Sequence, residues 1–250
     1  MTVAACAALV ARGDPDRFAA VMTGPVAARA RLFPLFAFNL EVARAPWVTA
    51  EPLIAEMRLQ WWRDVVDSAA SGAAKAHEVA EPLWQVIREA GLPVAVLDAL
   101  IAARRADIGR GPPDDLEAYL ADTAGGLMWL AAKAVGAAAA DEAAIRGAGW
   151  AAGLASYLRA VPDLVARGRV PLDRSDAASV AALAREGLAR WDAARGVGRV
   201  AAPALRTGWQ TRALLARVVA APEIVAQGHM RLPEVERRGR LVLATLRNRW

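Results

Sequence analysis

Alanine occupies 62 of the 250 positions and is spread through long runs in which apolar residues recur at helical spacing. These runs cover roughly residues 26–45, 50–70, 77–90, 93–109, 114–136, 141–160, 176–195 and 200–220. Alanine is the strongest helix former, and its small side chain lets helix axes approach closely. Valine and isoleucine do not dominate, and no strand-like alternation or hairpin signal competes. The pattern predicts an all-α bundle rather than a β-sandwich. Loops are short, with no internal repeat and no linker, so residues 1–250 are expected to form a single domain.

Local signals place the helix ends. The first eleven residues read as a short amphipathic helix. Asp14-Pro15 supplies an N-cap with proline at the first helical position. Asp114 with Glu117 makes a capping-box-like start after Gly111-Pro112-Pro113. Ser175 or Asp176 opens a helix that stops at Gly196, and Pro233 opens the last one, ending near Trp250. The main break is Val161 to Arg174, rich in proline and glycine. The Trp61-Trp62 pair cannot face one way, so one ring is expected inside and the other at the helix edge.

Several function classes are excluded. A lone Cys6 permits no intramolecular disulfide and no cysteine-based metal site. His77 and His229, the only histidines, lie far apart in sequence that reads as helix boundary. That argues against a zinc site and against Ser-His-Asp or Cys-His catalysis. No basic segment precedes the apolar start of the chain, so no targeting signal is expected. Gly125 to Ala140 is too short, too alanine-rich and interrupted by Lys133 for a membrane span. A cytoplasmic protein is expected.

The net charge is +5, and only Lys75 and Lys133 among the 31 cations are lysines. The arginines are mostly interleaved with acids, and no helix carries a basic face with stacking aromatics, so no nucleic-acid partner is expected. The densest cluster is Arg237, Arg238, Arg240, Arg247 and Arg249. It predicts salt-sensitive peripheral contact with anionic lipid or with an acidic partner. Acidic pairs one turn apart are scarce. Asp64 and Asp67 form the one DxxD candidate, and a solvated helix face explains them better than a metal site does.

Four segments carry a family resemblance in order: Phe36 to Arg44 (FAFNLEVAR), Met57 to Asp64 (MRLQWWRD), Tyr119 to Gly136, and Gly153 to Leu172. Together they resemble the squalene/phytoene synthase family, and within it a divergent branch of assembly factors for respiratory complex I. The resemblance runs from about Asp14 to the C-terminus. It implies the isoprenoid-synthase fold, with helices around a central cavity. In active members two aspartate-rich motifs face each other there and hold Mg²⁺ against prenyl diphosphates.

Laid on this chain, the first motif's aspartates fall at Ala43, Arg44 and Trp47, and the second's at Ala160 and Leu164, with Asp163 one position off. Alanine, leucine and tryptophan supply no carboxylate oxygen for Mg²⁺. The resemblance therefore implies a non-catalytic protein without a metal or cofactor, acting in complex I biogenesis with a complex I subunit or assembly intermediate as partner. Two alternatives stand beside it. One is an Mg²⁺-dependent prenyltransferase using Glu41, Asp64, Asp67, Asp122 or Asp163. The other is an isoprenoid- or lipid-binding protein without catalysis. Candidate ligand contacts are Arg44, Arg159, Arg169, Asn39 and Glu41. Structural roles compete for each: ion pairing or loop fixing for Arg159 and Arg169, and a polar network with Arg58 or Gln60 for Asn39 and Glu41.

Overall fold

The structure is a computed structural model and describes residues 2–250. Among them there are thirteen α-helices and no strand. They are α1 (Val3–Gly13), α2 (Pro15–Met22), α3 (Val26–Arg44), α4 (Pro52–Ala70), α5 (Ala80–Ala90), α6 (Val94–Ala103) and α7 (Leu116–Leu120). There follow α8 (Gly126–Ala134), α9 (Glu142–Ala166), α10 (Ala177–Ala193), α11 (Ala202–Leu205), α12 (Thr211–Ala220) and α13 (Glu234–Leu246). Helix α9 is the spine, with α8 on one side and α10 on another. Helix α12 packs on α10, α1 packs on α3, and α4 packs on α6. Phe36, Phe38, Trp150 and a set of leucines fill the centre.

Most start signals are realised as hydrogen bonds. Asp14 Oδ1 accepts from the Arg17 amide at 2.9 Å, and Asp176 Oδ1 from the Ser179 amide at 2.9 Å. At the start of α7 the cap is Asp115, not Asp114, because Asp115 holds the extended backbone that lets its side chain reach the Ala118 amide. Trp62 is buried and Trp61 partly exposed, and His77 stacks edge-on against both rings.

Three expected helices are broken or moved. The run over 114–136 contains a π-helical turn, Ala121–Gly125, between α7 and α8. The run over 200–220 divides into α11, two 3₁₀ turns and α12. The expected break from Val161 begins later, since α9 continues through Pro162 to Ala166. Proline there removes one amide donor near the helix end. Buried Leu158 and Val161 keep the backbone helical, and the chain turns instead at Gly168, where φ is +73°.

Glycine permits the closest helix contact. A Cβ on Gly149 would lie 2.6 Å from the Ala124 carbonyl oxygen, and one on Gly153 would lie 2.5 Å from the Ala124 Cβ. Helix α9 thus meets the π-helical turn nearly backbone to backbone. This seats the α9 face beside α3 and α8 and leaves a cavity among them.

Candidate functional site

The cavity has a volume of about 330 Å³. Three stripes at helical spacing line it: Phe36, Asn39 and Ala43 of α3, with Trp47 beyond; Thr123, Leu127 and Met128 from the π-helical turn and α8; and Ala152, Ser156, Ala160 and Leu164 of α9. Ala43 and Trp47 therefore share one space with Ala160 and Leu164. None of the four carries an oxygen donor in its side chain.

Three carboxylates do reach the lining, and each is committed elsewhere. Asp14 caps α2. Asp16 accepts from Arg237 at 2.6 Å and from Gln210 at 2.8 Å. Asp107 accepts from Arg104 at 3.2 Å and from the Tyr119 hydroxyl at 3.0 Å. Among the described residues no group of three or more His, Cys, Asp or Glu side chains is placed to hold a metal ion. The donor set does not fit the Mg²⁺ site that the resemblance implies.

Asn39 lines the cavity. Its side chain is buried, and Asn39 Oδ1 has no hydrogen-bond partner. The network with Arg58 or Gln60 is not formed: Gln60 donates to Asp64 at 2.9 Å, and Arg58 is exposed on α4. Glu41 lies outside the lining and sits 4.0 Å from Arg44. Arg44 is also outside the cavity, about half exposed. Arg159 lines both the cavity and an adjoining polar pocket that holds Asp163, Arg231 and Arg237. Asp64, Asp67 and Asp122 do not line the cavity, and Asp64 pairs with Lys75 at 3.8 Å.

Of the polar network around the cavity, the sequence singled out Arg169 and Trp47 but not Arg104, Asp107 or the tyrosine hydroxyls. Arg104 donates to the Tyr119 hydroxyl at 2.7 Å, and that hydroxyl donates to Asp107. Arg169 donates to the Asp107 carbonyl oxygen at 2.6 Å and lies over the Trp47 ring. The Tyr157 hydroxyl donates to the Pro171 carbonyl at 2.6 Å. Burial pushes the Tyr119 phenol well above its usual range, against the pull of Arg104 and with help from Asp107. Burial also pushes Tyr157 up to about 12. Burial opposes the Arg104 cation, but Tyr119 and Asp107 outweigh it and raise its pKa. The available signal was that both tyrosines of the chain fall inside the two segments quoted for the later motifs.

The cavity lining mixes apolar and polar side chains, with one orphaned acceptor, Asn39 Oδ1.

Known proteins resemble this chain in sequence and in fold. Residues 10–249 match the sequence profile described as squalene/phytoene synthase. The chain is 30% identical to the Bos taurus protein named NADH dehydrogenase (ubiquinone) complex I, assembly factor 6, over 67% of this chain and 52% of that protein. It is 27% identical to the Homo sapiens protein of the same name, with the same coverage. A Drosophila melanogaster homolog is 30% identical, over 66% of this chain and 52% of its own. The chain thus spans about half the length of these relatives. Among solved structures, a dehydrosqualene synthase bound to ligand superposes with TM-score 0.81 at 14% identity, covering 98% of this chain and 95% of that one. A squalene synthase from Alicyclobacillus acidocaldarius gives TM-score 0.75 at 18% identity, covering 91% and 94%. At these identities the two structures share the fold.

Proposed function

The chain belongs to the squalene/phytoene synthase family, and on that premise we propose that it is a non-catalytic member, one domain over residues 1–250, that acts in the biogenesis of respiratory complex I. One observation carries this reading. Ala43, Trp47, Ala160 and Leu164 meet across the cavity where the family resemblance puts metal-binding aspartates. Ionising an allylic diphosphate needs divalent cations to neutralise the leaving pyrophosphate. The three carboxylates present are held by caps and cations, so that step has no support from this chain's residues. The names of the curated relatives support complex I as the client system.

The partner in this reading is a complex I subunit or assembly intermediate, met at the inner face of the cytoplasmic membrane. Among the described residues no helix is long and apolar enough to cross a membrane. Deleting the gene and measuring NADH:quinone oxidoreductase activity and intact complex I on native gels tests the proposal. Activity and complex both fall under this reading; unchanged levels of both overturn it. Incubation with farnesyl or geranylgeranyl diphosphate and Mg²⁺ should release no pyrophosphate, and release would restore the prenyltransferase alternative.

A second reading is favoured by Asn39 Oδ1, a buried acceptor without a partner in the cavity lining. The cavity retains an isoprenoid or lipid whose polar end donates to it, without chemistry. Native mass spectrometry of protein purified from its host checks this, and mass matching the bare chain alone counts against it.

A further inference from the structure

Among the α-helices, α13 alone has no buried residue, and it takes no part in the close helix packing that joins the rest of the bundle. Arg237, Leu241, Ala244 and Thr245, the residues it turns toward the bundle, are only partly covered. Its aliphatic Val235, Val242 and Leu246 point outward and are 85%, 57% and 79% exposed. The apolar burial that seats most surface helices is therefore missing here.

Polar ties and anchored ends keep α13 in place instead. Near its start, Arg237 Nη1 reaches across to Asp16 of α2 at 2.6 Å. Beyond its end, Arg206 donates to Asn248 Oδ1 and to the Arg249 carbonyl oxygen, and Trp250 rests against the core. Ahead of it the chain turns at Gly228, where φ is +72°, and Met230 and Leu232 are buried. Arg217 donates to the Arg231 carbonyl oxygen in the same stretch. Helix α13 is thus a span fixed at both ends with little support between.

Beneath the start of this span lies the polar pocket that adjoins the cavity, with a volume of about 550 Å³. Arg231, Glu234 and Arg237 form its outer side. Asp16, Ser156, Arg159, Ala160 and Gln210 lie on its bundle side, and these residues also line the cavity. The Arg237–Asp16 bond therefore sits where pocket and cavity meet.

We infer that α13 is a movable strap, latched by Arg237 on Asp16, and that its lifting opens a path through the polar pocket into the central cavity. The latch can release without stranding a charge. Arg237 keeps Glu234 on its own helix, and Asp16 keeps the Gln210 amide at 2.8 Å. Both partners are thus satisfied open or closed, as a reversible latch requires. The pair is also weak, because its side chains are 33% and 27% exposed and solvent screens them. With so little apolar area covered, lifting α13 costs far less than opening α9 or α10. The inference concerns access to the cavity whatever occupies it, so it stands or falls apart from the complex I reading.

Hydrogen exchange on the full, unaltered chain is the first test. Amides of residues 235–246 exchange well ahead of those in α9 and α10. Arg237→Gln speeds their exchange about two- to fivefold, the equivalent of one partly exposed ion pair. Arg238→Gln removes only a pair within α13, to Glu234, and has a smaller effect. Access is read separately by thiol labelling of Ala160→Cys in a Cys6→Ala background, since Ala160 lies in both linings and Cys6 is the chain's only cysteine. Adding Arg237→Gln speeds labelling by bulky fluorescein maleimide about two- to fivefold and leaves labelling by small methyl methanethiosulfonate nearly unchanged. Adding Arg238→Gln changes neither. Three results overturn the proposal. Exchange in α13 as slow as in α9 makes it a fixed part of the bundle. Faster exchange in Arg237→Gln with unchanged maleimide labelling shows that α13 moves without opening the cavity. Exchange in α13 that slows as protein concentration rises shows a second copy covering its outward face, an interface instead of a strap.

Discussion

Arg169 lies 4.1 Å over the ring of Trp47 while its Nη2 donates to the Asp107 carbonyl oxygen at 2.6 Å. One side chain therefore ties the segment after α9 to the turn after α3 and to the 3₁₀ turn after α6, closing the polar rim of the cavity. A cation over tryptophan and a charge-assisted bond are each worth about 1 kcal/mol when partly desolvated. Arg169→Ala should lower stability by about 1–2 kcal/mol, and Arg169→Lys should recover only part of it, because an ammonium cannot stack and donate in one plane. Urea denaturation of the three proteins measures this; identical midpoints would show that the rim is not held by Arg169.

The two tyrosines offer a clean spectroscopic test, since the chain has no others. Burial raises both phenol pKa values, and Tyr157 reaches about 12. Native protein should show almost no tyrosinate absorbance at pH values where the urea-unfolded chain has already titrated near 10. The linkage has a definite sign. A folded-state pKa above the unfolded value contributes stability that is fully present below pH of about 10 and is lost as pH rises toward the folded value. Stability should therefore fall through this alkaline window, and Tyr157→Phe should flatten the fall. Tyrosinate appearing near pH 10 in the folded protein contradicts the burial of both hydroxyls.

Gly149 and Gly153 are where the cavity's walls are drawn together. A Cβ on Gly149 meets the Ala124 carbonyl oxygen and the Met128 Cβ, both at 2.6 Å, and neither is the flexible end of a side chain. Gly149→Ala should cost about 1–3 kcal/mol by overpacking. Gly91→Ala is the comparator: it has open space around it, and its cost of about 1–2 kcal/mol arises only from the left-handed backbone at φ +57°. Thermal unfolding distinguishes them further, because only the Gly149 variant should also change the cavity and any ligand that co-purifies.

Helical periodicity made the bundle legible, and Ala43, Trp47, Ala160 and Leu164 line one cavity although Trp47 lies outside every quoted segment. What the sequence hid follows from geometry that depends on packing. Ala43 and Arg44 are adjacent, yet successive residues on a helix point about 100° apart. Ala43 faces the cavity, while Arg44 turns out toward Glu41. The π-helical turn at Ala121–Gly125 leaves no period of its own to read, and Pro162 suggested a break that buried Leu158 and Val161 override. Pairing is equally invisible in one dimension. The C-terminal arginines read as a free basic cluster until Asp16 of α2 and the glutamates of α13 are seen to hold most of them.

Arg206 is buried without a carboxylate. Its donors go to the Thr23 hydroxyl at 2.9 Å, the Asn248 Oδ1 at 3.1 Å and the Arg249 carbonyl at 3.0 Å, latching the C-terminal segment onto α2. Burial lowers its pKa, as expected for a cation satisfied only by neutral acceptors. Removing an acceptor should therefore hurt more than removing the cation. Asn248→Ala strands a buried donor at a cost of about 1–3 kcal/mol, whereas Arg206→Met, with similar bulk and no donors, should be milder. Urea midpoints in the reverse order would show that the guanidinium itself is a net stabiliser.

Asn39 sets stability against binding. An amide oxygen buried without a partner costs about 1–3 kcal/mol by mutational measures. Leucine is close in size and makes no such demand. If the fold alone shaped this position, Asn39→Leu would be stabilising with no other consequence. If Asn39 Oδ1 is kept for the polar end of a bound amphiphile, the same substitution should raise the melting temperature of ligand-free protein and lower the fraction of chains that retain a ligand in native mass spectra. Serine at the position separates polarity from volume, because it can still accept a hydrogen bond while leaving space. Asn39→Ser should keep more ligand than Asn39→Leu despite fitting the cavity less well. Equal retention in all three proteins would remove Asn39 from the binding site and leave its unpartnered oxygen as an unrelieved cost of the fold.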